Sequence, residues 1–312
     1  MIAIFLVACA HLIALLVETN LGPPLPLTAH EPDPRTENDH AQTPVAPVTV
    51  SATWIEYAVG TMPGRLSAAR GGIHGSAPGT YSGVLIRHGS TTILVDGGAS
   101  RDFEARRRAV GGLGAFLLGQ ASRGFTRVGH PDALPERPDA ALLTHAHFDH
   151  VGGFLDVPDL PVWAPRDEFA AAMPGESELL AARLQPIPWE DRPFLYWPQR
   201  WEPFGDEGVV VVPMPGHTGG SVGVYVQPSG GAASLFLVGD TAWLREAYEV
   251  PTPKGWPAST LDADPEGTDL QLARLHALHA AHPSLRIVPA HDRRAYVEVF
   301  GAPLTLAGGP KK

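Results

Sequence analysis

The stretch Thr144-His145-Ala146-His147-Phe148-Asp149-His150-Val151-Gly152-Gly153 sets three imidazoles and a carboxylate within six residues. An apolar run from Ala140 to Thr144 precedes it and reads as a short buried strand that delivers the chain into His145. A loop leaving that strand can turn His145 and His147 to one side, while Asp149 and His150 face a second point nearby. Imidazole and carboxylate are ligands for Zn, and also for Fe, Mn or Co, so the spacing suits two ions better than one. A glycine-bounded turn crowded with titratable groups is a poor place for ordinary packing.

Three later segments share this pattern, an apolar strand ending in a small residue and then a ligand type. Val211 to Gly216 leads into His217, Leu235 to Gly239 into Asp240, and Ile287 to Ala290 into His291. Each is weak alone, because a lone His after a strand is more often structural. Four such ends in one chain argue for donors gathered at one end of a sheet.

Working outward, Val48–Val59 reads as a strand, and Ser82–Ile86 and Thr91–Val95 as two more joined by a hairpin at Arg87-His88-Gly89-Ser90. Asp96-Gly97-Gly98 ends the latter in a turn. A helix is expected over Asp102–Leu118, with Arg106-Arg107-Arg108 on a solvated face. Pro161–Ala164, Val209–Pro213, Val222–Val226, Ser234–Val238 and Arg286–Pro289 complete the strands. Thr268–Ala281, with Leu272, Leu275 and His279 at helical spacing, is an amphipathic helix. Between Asp167 and Phe204 the chain is helical and irregular, and its aromatic run Trp189 to Trp201 is either a wall over the metals or core under a long loop. Hairpins first, then strands mixed with helices, predict an α/β chain with two packed sheets and helices outside.

With 312 residues, 44% of them hydrophobic, the chain can bury a large core. The net charge of −10 repels phosphate backbones, so no nucleic acid partner is expected. The single Cys9 excludes an internal disulfide and a thiolate cluster, which leaves any metal to the 14 His and the carboxylates. Residues 1–20 read as an apolar signal or anchor, with 1–17 a membrane tether, although no Lys or Arg precedes the run. Leu6-Val7-Ala8-Cys9 is a weak lipidation box. Residues 21–47 read as a Pro-rich linker, 48–302 as the folded domain and 303–312 as a tail. Export, whether periplasmic, anchored or secreted, is the expectation, or a cytoplasmic place if the segment is not a signal.

From about Thr49 to Val299 the sequence resembles the metallo-β-lactamase superfamily, on the His-x-His-x-Asp-His segment followed by His217, Asp240 and His291 in order. The resemblance implies an αββα sandwich of two mixed sheets flanked by helices, with the metals at one edge. It assigns His145, His147 and His217 to a first metal and Asp149, His150 and His291 to a second, with Asp240 bridging and Asp96 supporting from behind. Two divalent ions, Zn2+ first, would share a hydroxide that attacks an ester-like bond. Either Asp149 or Asp240 would carry the proton to the leaving group. Ser221 is then a cap or turn residue, and His276, His279 and His282 are surface groups without a metal.

Within that superfamily the Gly-His-Thr-Gly-Gly run and the closing Pro-Ala-His-Asp are most similar to N-acyl homoserine lactonases and related aryl-ester and organophosphate hydrolases. A small apolar ester or lactone is therefore the expected substrate. Those lactonases carry Tyr three residues after the bridging Asp, where this chain has Trp243; Tyr248 or Tyr196 is a substitute donor. Leu113, Phe116 and Leu117 are further candidates for the substrate wall. The alternatives are a mononuclear iron enzyme resembling persulfide dioxygenases, and phosphotriesterase or β-lactamase activity. True β-lactamases place Cys or Ser at the position of Asp240.

Overall fold

The computed structural model describes residues 48–68, 75–166, 168 and 180–306. Outside the described residues lie the expected apolar segment 1–20 with Cys9, the linker 21–47, positions 307–312 of the tail, and 69–74, 167 and 169–179; so do the side chains of Leu113 and Leu117. Among the described residues no helix is long and apolar enough to cross a membrane.

In chain order the elements are β1 (Val50–Pro63), α1 (Gly64–Ser67), β2 (Ser76–His88), β3 (Thr91–Val95), α2 (Phe103–Val110), α3 (Gly112–Ala121), β4 (Thr126–Arg127) and β5 (Ala140–Leu142). There follow α4 (Phe148–Leu155), β6 (Val162–Ala164), β7 (Leu184–Pro186), β8 (Val209–Pro213), β9 (Val222–Val226) and β10 (Leu235–Leu237). The last are α5 (Glu246–Glu249), α6 (Pro265–Ala281), β11 (Arg286–Val288) and α7 (Arg293–Phe300). One sheet runs β4-β1-β2-β3-β5-β6-β7 and the other β11-β10-β9-β8. Both are mixed: β1, β2 and β3 pair antiparallel, but β3, β5, β6 and β7 are parallel, and β10 is parallel to β11.

Strand alternation explains how the sheets stack. Val209 and Val211 enter the cluster between the sheets while Val210 and Val212 enter the outer cluster under α6. β10 divides likewise, with Leu235 and Leu237 inward and Phe236 outward. In the first sheet Ile93 and Val95 face the interlayer and Leu94 faces the helices. A strand covered on both faces has no polar side, which is why these segments are continuous apolar runs. The result is the αββα sandwich.

Several sequence-based boundaries change. β1 and β2 form a much longer antiparallel pair than Val48–Val59 and Ser82–Ile86, and the tight turn of the β2–β3 hairpin is Gly89-Ser90, with Gly89 at φ 59°. The single helix expected over Asp102–Leu118 is two, broken where Gly111 and Gly112 adopt φ of 71° and 53°. On α6 the buried face is Leu272, Leu275 and Leu278, and His279 lies outside it. The aromatic run from Trp189 is core rather than a wall: Trp189 and Trp201 pack on the interlayer, while Phe194 and Trp197 lie in the outer cluster. There the Trp197 indole donates to Gln271 Oε1 at 2.9 Å.

The candidate metal centre

Chain direction gathers the donors. β3 and β5 are parallel, so Asp96 and the His145 loop leave the first sheet at the same edge. β8, β10 and β11 also share a direction, because β9 runs antiparallel to both β8 and β10. Their C-terminal ends therefore bring His217, Asp240 and His291 to one edge of the second sheet. A hydrogen bond from Val222 N to Thr144 O at 2.9 Å ties the two edges together.

The decisive segment is a loop only as far as His147. From Phe148 it is helix α4, with His147 at the N-cap, so Asp149 and His150 occupy the first turn. Gly152 and Gly153 do not end that helix; they let it lie against the Asp96 turn. A Cβ at Gly153 would stand 2.0 Å from Gly97 O, and one at Gly152 2.5 Å from Ser100 N.

All seven sequence-predicted ligands come together in two groups: His145, His147, His217 and Asp240, and beside them Asp149, His150 and His291. Asp240 faces both. Its Oδ1 lies 3.2 Å from His150 Nε2 and 3.1 Å from His291 Nε2. Its Oδ2 lies 3.5 Å from His217 Nε2 and 3.8 Å from His145 Nε2. Asp149 Oδ2 is 3.5 Å from His291 Nε2.

Buried groups behind the cluster aim these donors. Asp96 Oδ2 accepts from His150 Nδ1 at 2.8 Å and from the Thr144 hydroxyl at 2.7 Å, while Oδ1 accepts from Thr144 N at 2.9 Å. Thr80 O accepts from His291 Nδ1 at 2.9 Å, and Asp262 Oδ1 from His217 Nδ1 at 2.7 Å. In each pair the other ring nitrogen is left to face the centre.

The fit to cations is visible in the polar accounting. His145 Nε2, His150 Nε2 and Asp240 Oδ1 are buried atoms with no hydrogen-bond partner, and all three point into the cluster. Stranding such atoms costs about 1–3 kcal/mol each unless something coordinates them. Burial, with the neighbouring imidazoles, pushes the His147 pKa down to about 3 and lowers that of His145, and burial with the Lys254 charge lowers that of His217, so all three rings are neutral at neutral pH. Burial also opposes charging His150 and His291, yet Asp240, Asp149 and, at His150, Asp96 outweigh it and raise both. This half of the site draws positive charge. These residues would hold divalent ions, the first group around one and the second around another, with a carboxylate oxygen of Asp240 for each.

The expected substrate contacts fare differently. Trp243 is at the centre, but its indole N–H is committed to Asp240 Oδ2 at 2.7 Å. Tyr248 is not: α5 packs under α6, burying the ring in the outer cluster with its hydroxyl on Ile287 O at 3.4 Å. Tyr196 packs at the edge of the same cluster, 6.4 Å from the Trp197 ring. Phe116 is 58% exposed on α3. His276 Nδ1 donates to Tyr248 O at 2.9 Å, and Ser221 sits in the turn after His217, its hydroxyl 3.0 Å from Thr218 N.

Sequence reasoning missed three residues around the donors. Asp262 and Lys254 lie on a stretch without strand or regular helix, and nothing local marks them as partners of His217. Glu168 accepts from Ala146 N at 2.7 Å and from the Thr218 hydroxyl at 2.8 Å, joining the two His loops. Burial pushes its pKa up to about 6.

An αββα sandwich with a His and Asp centre at the edge between its sheets defines the class of metallo-hydrolase folds. The model of the metallo-beta-lactamase superfamily matches residues 77–291, and the chain belongs to that superfamily. It is 31% identical over 172 residues to a probable metallo-hydrolase of Mycobacterium tuberculosis, covering 50% of this chain and 55% of that protein, so it spans about half the length of the curated relatives it matches. Among solved structures it resembles an N-acyl homoserine lactone hydrolase with the product N-hexanoyl-L-homoserine bound at its catalytic metal center. The TM-score is 0.59 and the identity 18%, over 82% of this chain and 99% of that one. The dizinc quorum-quenching lactonase AidC gives a TM-score of 0.50 and 16% identity, over 78% and 87%. At these identities the likeness is one of fold.

Proposed function

We propose that the protein is a hydrolase of lactones or similar esters that works with two divalent ions, Zn2+ first. The observation that carries this reading is Asp240, whose two carboxylate oxygens face two separate donor groups. Bound there, the ions would lower the pKa of water to near neutrality and polarise the substrate carbonyl. The protein's part is to hold the donors. Asp96, Asp262 and Thr80 O fix three imidazoles, and the Trp243 N–H fixes Asp240 Oδ2. Asp149 or Asp240, both at the centre, would accept a proton and return it to the leaving oxygen.

The lactone preference is supported by likeness to lactonases of this fold. Trp243 sets a limit on it, since its only donor is spent on Asp240 and does not reach for a substrate oxygen. Aryl esters and other activated acyl groups are therefore within the same proposal. The proposed setting is export, with residues 1–17 as tether and 48–302 as the catalytic unit.

The test is metal content per chain together with a panel of lactones, aryl esters, a phosphotriester, nitrocefin and a persulfide with oxygen uptake. Two ions per chain and ester turnover that falls roughly a thousandfold in His147→Ala and Asp240→Ala, about 4 kcal/mol of barrier, are the expected result. One iron per chain with oxygen uptake on the persulfide, and no hydrolysis, would overturn it.

A further inference from the structure

Lys254 is a buried ammonium, 2% exposed, beside the first donor group. A buried lysine is costly unless paired, and its partner is Asp262, 2.7 Å from Nζ to Oδ1. That same oxygen also accepts from His217 Nδ1 at 2.7 Å. On its other side the ammonium lies 5.3 Å from the centroid of the Trp243 ring, within cation–π reach. The Trp243 indole in turn donates to Asp240 Oδ2, the oxygen that faces the first group.

One cation therefore reaches two donors that come from different strand ends. Through Asp262 it reaches His217, after β8; through the indole it reaches Asp240, after β10. The ordinary reading of a buried Lys–Asp pair is a local staple of the 250–262 stretch. Such a staple would need neither a shared oxygen on a ligand's back side nor an aromatic ring hydrogen-bonded to another ligand.

We propose that Lys254 is a positioning residue for the first metal: it fixes the Asp262 carboxylate behind His217 and seats the Trp243 indole that orients Asp240. This rests on the dinuclear reading above and deepens it, by giving the first site a support that the second lacks. The second group is aimed by Asp96 and Thr80 O, neither of which touches Lys254.

The experiment is metal binding by the full-length chain, stripped and titrated with Zn2+ against a chromophoric chelator, with Lys254→Met and Trp243→Phe compared to wild type. His147→Ala identifies the equivalent that belongs to the first group. In Lys254→Met that equivalent weakens 10–100-fold, roughly the usual loss when the support behind a ligand is removed, and the other stays within about threefold. Trp243→Phe keeps the ring but loses the N–H, and weakens the same equivalent by less. Should Lys254→Met fail to fold, Trp243→Phe carries the decision alone. Variants that melt earlier but bind both equivalents as wild type does, or lose both equally, overturn the proposal. If wild type takes up a single equivalent, the dinuclear reading fails on its own. The positioning proposal then stands only if that equivalent is the one removed by His147→Ala and weakened by Lys254→Met; wild type that binds none sinks both.

Discussion

At the scale of single residues, the site works by giving His150, His217, His291 and Asp240 a partner behind them. Asp96 shows this most clearly, because one carboxylate holds the Thr144 backbone, the Thr144 hydroxyl and His150 Nδ1 at once. Asp96→Asn keeps the shape but presents an amide, which matches at most one of the two donors now on Oδ2. His150 is then free to rotate or change tautomer. The expected outcome is a loss of about 10–100-fold in affinity at the second metal, read by chelator competition, with the first metal little changed. Affinity unchanged at both metals would remove Asp96 from the support of the centre. The same scale shows where the reading of substrate contacts was too local. Trp243 occupies the position where a substrate donor was expected and turns its N–H onto Asp240 instead. Tyr248 and Tyr196 have the hydroxyl that a substrate donor needs, and that chemistry does not say on which side of a sheet a ring will lie.

At the scale of elements, α4 is the piece that the fold depends on for its centre. Glycines at 152 and 153 cost helix propensity, roughly 1 kcal/mol each relative to Ala. They are there because α4 packs against the turn after Asp96 at backbone contact. Gly153→Ala gains the propensity but places a carbon 2.0 Å from Gly97 O, an overpacking that costs about 1–3 kcal/mol or more. The clash should win, and chemical denaturation should show a net loss of about 2 kcal/mol. Gly119→Ala on α3 is the control, since its new carbon meets only the Arg107 guanidinium at 3.1 Å, and it should be neutral or slightly stabilising. Equal stability of the two variants would refute the close-approach account. Period and turn chemistry in the sequence were enough to find β3, β8, β9, β10 and β11, since each is a short apolar run covered on both faces. They missed β4 and β7, two- and three-residue strands whose residues are mostly exposed, because pairing at a sheet edge leaves no hydrophobic signature. They missed α4 for the opposite reason: its glycines look like an end when they are a contact.

At the scale of the whole molecule, Glu168 joins the His145–His147 loop of one sheet to the His217 loop of the other. Its oxygens accept from Ala146 N, the Thr218 hydroxyl and Gly220 N. Burial raises its pKa from 4.5 to about 6, so the folded protein binds this proton more tightly than the unfolded chain does. Stability is therefore lost as pH rises from about 4.5 through about 6, by roughly 2 kcal/mol in all, and is flat above that window. Glu168→Gln cannot ionise. In metal-free protein the stability of wild type relative to this variant should fall across that window. A flat or rising difference in denaturation midpoints would show that the carboxylate is not buried between the loops as described.

What the sequence by itself determined is the identity of the seven converging donors and the layered class of the fold. Both are written in local patterns: apolar runs of strand length, each ending in a small residue and a ligand type, and one segment dense in imidazole. Apart from Asp96, only the tertiary structure decided which groups stand behind those donors. Asp262 is 45 residues from His217, Glu168 lies 22 from Ala146, and Thr80 is 211 from His291, so no local motif along the chain contains any of these pairs. Their meeting is set by the parallel run of β8, β10 and β11 and by the stacking of two sheets. A hydrogen bond is fixed by distance in space, and sequence carries that distance only where the chain returns within a few residues.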